Sequence, residues 1–208
     1  MTTCAYRIGT LAIAAVLLGL AGPAMAAEDL CAHASGDIAI RACTRDIESG
    51  RYAGRSLAIR YNNRGSEYSG KHDYESAIAD YNSALRLDPQ YADAYYNRCL
   101  AYNRKDDFEE ALADCNKAIS LGPTPNALNA TGQTRLTDDR SLSDYYTQRG
   151  LALYGKHSYE RAIADFNQAL RLHSENATAL RNRGRTYEAQ GDSVRAEADY
   201  ALAKSMEK

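Results

Sequence analysis

Histidine is scarce in this chain, with four in 208 residues, and that scarcity removes much of ordinary site chemistry. His33, His72, His157 and His173 lie far apart. None falls in a His-Glu-x-x-His spacing, which would put two metal ligands on one helix face. A glycine-rich phosphate loop and a Gly-x-Ser-x-Gly elbow are missing as well. Positive charge is not in surplus: 25 Lys and Arg stand against 27 Asp and Glu, which argues against a nucleic-acid surface. The apolar run from Ile8 to Ala21 falls short of the roughly 20 residues of a membrane-spanning helix. These absences point away from an enzyme, a metal or cofactor protein and a nucleic-acid binder.

What the chain has in abundance is internal repetition. The stretch from Tyr61 to Gln90 returns from Tyr96 to Pro123, and again from Tyr146 to Leu172 and from Leu180 to Lys204. Gly65 is followed 34 residues later by Cys99, and Gly150 by Gly184. Ala77, Ala111, Ala162 and Ala196 keep step with them, as do Tyr81, Cys115, Phe166 and Tyr200. A fixed period of this length is the mark of a solenoid. Each unit reads as two amphipathic helices. The first covers roughly Ala58 to Ser69 in the leading copy, and the second runs from about Asp73 to Leu87, after a turn at Gly70-Lys71-His72. Tyr74, Ala77, Ile78, Tyr81, Ala84 and Leu85 recur at helical spacing and make one apolar face. Pro89 stops the second helix by disfavouring helical geometry at Asp88. Gly65 is expected to face Ala77 at the crossing, with large rings filling the rest. A lone hairpin cannot bury this face, so its neighbours must.

The pattern resembles the tetratricopeptide-repeat family. The first copy matches it at Tyr61, Gly65, Tyr68, Ala77, Tyr81, Ala84 and Pro89. The others match at Tyr95, Tyr102, Ala111, Ala118 and Pro123; at Tyr146, Gly150, Ala162, Phe166 and Ala169; and at Leu180, Gly184, Tyr187, Ala196, Tyr200 and Ala203. Arg64, Arg98, Arg149 and Arg183 depart from it, standing where the family prefers Leu. Cys99 replaces its Gly, Cys115 its aromatic residue and Ser174 its third Pro. The resemblance covers about two thirds of the chain. It implies an all-α, right-handed superhelical solenoid of antiparallel helix pairs.

In chain order, residues 1–26 read as a signal peptide, with one charge at Arg7, the apolar run, and a small-x-small site at Ala24-Met25-Ala26. Retention as an anchor is the alternative; Cys4 precedes the run, which disfavours a lipoprotein. The look of the repeats points to a bacterial exported protein, periplasmic or secreted. Residues 27–57 read as a degenerate helical hairpin that caps the N-terminal end, 58–124 as two repeats, 125–142 as a loop insertion and 143–208 as two more repeats. The insertion is the 17-residue slip that makes Cys99 to Gly150 a step of 51. It is expected to drape over the groove, to hold a short turn at residues 127–130, or to divide the stack into two hinged blocks. Asn129-Ala130-Thr131 and Asn176-Ala177-Thr178 fit a glycosylation pattern by chance. The last copy leaves a face carrying Val194, Tyr200 and Leu202 partly uncovered, a candidate homodimer contact or partner surface, the alternative being that Arg195, Glu197 and Lys204 shield it.

Once Cys4 leaves with the signal, Cys31, Cys43, Cys99 and Cys115 remain, an even number for an oxidising compartment. Three pairings are open. The local one, Cys31–Cys43 with Cys99–Cys115, is preferred. For the second pair, Cys99 is expected opposite Ala111 with Cys115 a turn beyond, so two buried thiols are the alternative. No His joins them as a ligand set, and zinc is not expected.

In the family, the first helices line a concave surface. By that resemblance the peptide-groove candidates are Asn63, Asn97, Gln148 and Asn182, which share one repeat position, with Tyr96, Arg181 and Arg185 beside them. Amides both donate to and accept from a peptide backbone. The family's carboxylate clamp is incomplete: Ser66, Leu100 and Leu151 stand where its second Asn would be. The four Arg are divided between ligand contacts and salt bridges within each repeat to acids such as Asp80. Two functions follow: a scaffold binding a polypeptide, serving envelope assembly or secretion, or a structural module that associates with itself.

Overall fold

A computed structural model describes residues 29–122 and 139–206. The signal segment and nearly all of the insertion, with its expected turn and Asn129, lie outside the described residues. Ten helices run in chain order among those described: α1 (Leu30–His33), α2 (Gly36–Glu48), α3 (Gly54–Gly70), α4 (Tyr74–Leu87), α5 (Ala92–Arg104), α6 (Phe108–Leu121), α7 (Asp139–Gly155), α8 (Tyr159–Leu172), α9 (Ala177–Ala189) and α10 (Ser193–Ser205). From α3 onward they form four antiparallel pairs, and each pair lies against the next. The first helices α3, α5, α7 and α9 also approach one another in sequence, whereas among the described residues no second helix comes as close to the second helix of the next unit. First helices therefore line the inner side of the stack.

The small-residue positions work as their chemistry requires. A Cβ added at Gly65 would lie 2.7 Å from the Tyr81 ring and 3.1 Å from the Ala77 carbonyl oxygen. Gly150 would meet Phe166 at 2.6 Å, and Gly184 would meet Tyr200 at 2.8 Å. A ring thus lies on a glycine at each crossing, where any side chain would force the helices apart. The second unit solves the same problem with a bond: Cys99 is joined to Cys115, with their Cα atoms 5.5 Å apart. Cys115 is not a turn too far, because the crossing places the Gly65-type position between the 77-type and 81-type residues. Tyr102, Phe108, Leu112, Ala111 and Ala152 surround this pair as Tyr68, Tyr74, Ile78, Ala77 and Ala101 surround Tyr81.

Helix boundaries differ from the sequence reading at two first helices. α3 starts at Gly54 rather than near Ala58, because Ser56 closes its first turn: its hydroxyl accepts from the Ala53 N–H (3.2 Å) and donates to the Ala53 carbonyl (2.8 Å). α7 already includes Asp139, the first residue described after the insertion, so residues 139–142, assigned to the insertion, are helical. Its early hydroxyls are buried and satisfied: Ser143 donates to the Ala169 carbonyl at 2.8 Å and accepts from Asn176 at 2.9 Å. Asn176 also caps α9 through the Ala179 N–H, so this asparagine is interior. The turns inside the four units share one left-handed residue, His72 (φ 63°), Asp106 (φ 61°), His157 (φ 56°) and Gly191 (φ 81°). Only the last meets it without strain. His72 and His157 are exposed there, each with Nδ1 2.8 Å from the hydroxyl of the tyrosine two residues on.

The N-terminal cap is less than a hairpin of equal helices, since α1 has a single turn. Cys31–Cys43 fastens it to α2. The stack continues across the insertion, with Phe108 of α6 lying over Gly155 of α7. No described helix is long and apolar enough to cross a membrane.

Candidate functional site

The four unexpected arginines are structural. Each reaches the aspartate 16 residues ahead through two hydrogen bonds of 2.6–2.8 Å: Arg64 to Asp80, Arg98 to Asp114, Arg149 to Asp165 and Arg183 to Asp199. All four carboxylates are buried. Tyrosines flank the guanidiniums: Tyr61 and Tyr68 at Arg64, Tyr95 and Tyr102 at Arg98, Tyr146 at Arg149, and Tyr187 at Arg183. Hydrogen bonds donated to the paired aspartates hold Arg64, Arg149 and Arg183 above the ordinary arginine range. Burial lifts the Asp114 carboxyl above its usual value against the pull of Arg98.

Each guanidinium has a third partner in the preceding unit, which the sequence reading missed. Arg98 donates to Asn82, Arg149 to Asn116 (2.9 Å) and Arg183 to Asn167 (2.6 Å). Arg64 donates to Thr44 of α2 at 2.9 Å. A second ladder runs parallel to it: Lys71 pairs with Asp37, Lys105 with Glu75 (2.6 Å), Lys156 with Glu109, and Gln190 donates to Glu160 (2.8 Å). The two acceptors on each second helix are seven residues apart: Glu75 and Asn82, Glu109 and Asn116, Glu160 and Asn167. Asp37 and Thr44 in α2 repeat that spacing, so α2 stands where a preceding second helix would. The recurrence of Asn82, Asn116 and Asn167 was the available signal.

All seven groove candidates lie on first helices: Asn63 on α3, Tyr96 and Asn97 on α5, Gln148 on α7, and Arg181, Asn182 and Arg185 on α9. Three of the amides also bind the stack together, Asn63 tying α3 to α1 of the cap and the other two joining neighbouring first helices. Asn63 donates to the Cys31 carbonyl (3.3 Å) and Asn97 to Asn62 (2.9 Å), while Gln148 receives Asn103 through its backbone (2.9 Å) and side-chain (3.3 Å) oxygens. Asn97 donates a second time, to Ser66 (3.4 Å), so what it keeps is the acceptor capacity of its amide oxygen. Tyr96 stacks on Tyr145 with centroids 4.7 Å apart, and Arg185 lies over the Tyr154 ring at 5.3 Å. Two recesses lie beside α5, one between α3, α4 and α5 and the other between α3, α5 and α7. One, of about 410 Å³, is lined by Ser66, Tyr74, Tyr81, Leu100 and Arg104 among others; the second, of about 280 Å³, by Asn63, Tyr91, Asp93, Tyr96 and Tyr145 among others. Asn97 belongs to both walls. Gln148, Arg181, Asn182 and Arg185 line neither, so the structure brings only Asn63, Tyr96 and Asn97 of the seven candidates to these recesses. No group of three His, Cys, Asp or Glu side chains able to hold a metal occurs among the described residues.

Three family models match the sequence: one described as TPR repeat over residues 65–106, and two described as tetratricopeptide repeat over 92–125 and 147–206. Together they take in more than half of the chain. No curated protein matches it. Among solved structures, a crystal structure of MamA superposes with a TM-score of 0.61 at 21% identity, over 82% of this chain and 88% of that one. MamA from Desulfovibrio magneticus RS-1 gives 0.63 at 16% identity, over 81% and 84%. Both are likenesses of fold. The first repeat domain of Spaghetti (RPAP3), bound to the HSP90 peptide SRMEEVD, gives 0.55 at 26% identity over 68% of this chain and 99% of that one.

Proposed function

The chain belongs to the tetratricopeptide-repeat family, and from that premise we propose that it is a non-enzymatic scaffold holding an extended polypeptide along the inner side of α3, α5, α7 and α9. The observation that carries this reading is Asn97. It sits on the wall shared by the two inner recesses; its amide nitrogen donates to Asn62 and Ser66, which leaves its side-chain oxygen to accept a peptide N–H. Tyr96 and its stacked partner Tyr145 offer an apolar platform beside it. The likeness to a domain that holds a peptide supports the same reading. We further propose an exported protein that works in the periplasm or outside the cell, in envelope assembly or secretion. Two disulfides support that compartment, since such bonds persist where thiols are not kept reduced.

The test is affinity capture from an extract of the producing cell, with Asn97→Ala plus Asn182→Ala as the comparison. A polypeptide retained by the wild type and lost by the double variant supports the groove. Recovery of the same polypeptides in equal amounts rejects it.

A further inference from the structure

The two ladders between units stop at α10, and they stop in a specific way. Every earlier second helix offers the next unit a carboxylate and, seven residues on, an amide or hydroxyl. The equivalent residues of α10 are Val194 and Ala201. A further unit of this design set against α10 would leave its arginine without its third partner and its lysine without a carboxylate. The same two changes complete an apolar stripe. Val194, Ala198, Ala201 and Leu202 fall at i, i+4, i+7 and i+8, one face of a helix. All four are exposed, Val194 at 79% and Leu202 at 48%. A charged pair borders the stripe on one flank, Glu197 and Lys204, exposed and seven residues apart. Neither is in an ion pair among the described residues.

We propose that this face of α10 is a self-association surface, joining two copies of the chain through antiparallel α10 helices. In such a pair a flank of one helix meets the same flank of the other. A two-fold axis near residues 200 and 201 then sets Glu197 against the partner's Lys204, and Lys204 against the partner's Glu197. The apolar stripes meet at its centre, a self-complementary closed contact rather than an open chain of repeats. This surface lies at the end of the stack and is separate from the inner recesses, so its test does not depend on the groove.

The experiment is sedimentation velocity on the full, oxidised chain from about 1 to about 200 µM, where mass action reveals a dimer. The wild type is expected to shift from monomer to twice that mass. Val194→Glu with Ala201→Asn places on α10 the residue pair that α4, α6 and α8 carry at the same positions. It is therefore expected to keep the wild-type helical circular dichroism and to stay monomeric. Glu197→Lys is expected to weaken the dimer about tenfold, since two reciprocal pairs are lost. Glu197→Lys with Lys204→Glu is expected to restore it. A wild type that stays monomeric at the highest concentration overturns the proposal, and with it leaves the stripe to another occupant. So does a dimer that survives Val194→Glu with Ala201→Asn, or a charge swap that recovers nothing.

Discussion

Exchanging the second unit's disulfide for the glycine–ring pair of its neighbours is a sharp test of the packing argument. Cys99 and Cys115 occupy the positions of Gly65 and Tyr81, and five residues around each pair correspond: Tyr102, Phe108, Ala111, Leu112 and Ala152 to Tyr68, Tyr74, Ala77, Ile78 and Ala101. Cys99→Gly with Cys115→Tyr should therefore find a ring-shaped site ready. Opening the bond, whose cysteines are 16 residues apart, costs about 3 kcal/mol in unfolded-chain entropy. Burying a ring regains about 1.5–3 kcal/mol. The double exchange is thus expected within about 2 kcal/mol of the oxidised wild type. Cys99→Ala with Cys115→Ala loses the bond and also leaves a void, for a total of about 3–5 kcal/mol. Cys115→Tyr alone should be the least stable, because the ring meets the Cys99 side chain where Tyr81 meets a glycine 2.7 Å from a missing Cβ. The assay is urea unfolding without reductant, compared by midpoint because a repeat stack need not unfold in two states. The reasoning fails if the Ala pair matches or exceeds the Gly–Tyr pair, or if Cys115→Tyr alone is no worse than the double exchange.

Two further outcomes follow from buried polar groups. Asp165→Ala strands the Arg149 guanidinium, which keeps only Asn116, and should cost about 3–5 kcal/mol, whereas Arg149→Leu with Asp165→Leu should cost far less; equal melting losses in the two variants would contradict the pairing. Burial pushes the Tyr81 hydroxyl up to about 12. A raised folded-state value means its stabilisation is complete below the unfolded phenol's value near 10 and fades as pH climbs through about 12, a loss of about 2–3 kcal/mol. Thermal melts from about pH 9 to 12 should therefore fall less steeply for Tyr81→Phe than for the wild type, and identical slopes would refute it.

The period and the helix pairs were legible because a 34-residue step repeats small and large residues at fixed places, and packing leaves such residues little freedom. The same regularity showed Arg64 and Asp80 at fixed places but left the arginines divided between ligand contacts and salt bridges, because one repeat does not show which way a guanidinium turns. The third partner, Asn82 and its equivalents, was not legible. A lone polar residue on a second helix looks like solvent-facing surface until the next unit is set against it. Residues 139–142, assigned to the insertion, were hidden by composition: Asp139, Arg140 and Ser141 resemble loop residues, yet they are helical and Ser141 is buried. The amides at Asn63, Asn97 and Gln148 were recognised as one row. Their second task, tying each first helix to a preceding helix, depends on the close approach of those helices, which no single repeat reveals. Asn97 is distinguished from the others by its place between two recesses, a property of four helices at once, α3, α4, α5 and α7.

A photo-reactive benzophenone amino acid placed at position 97, with position 113 on the exposed side of α6 as the control, tests the groove most directly. After illumination in the producing cell, position 97 should yield a discrete covalent adduct with another polypeptide, and position 113 none. Adducts of equal yield from both positions, or from 113 alone, would contradict binding along the inner side of the stack.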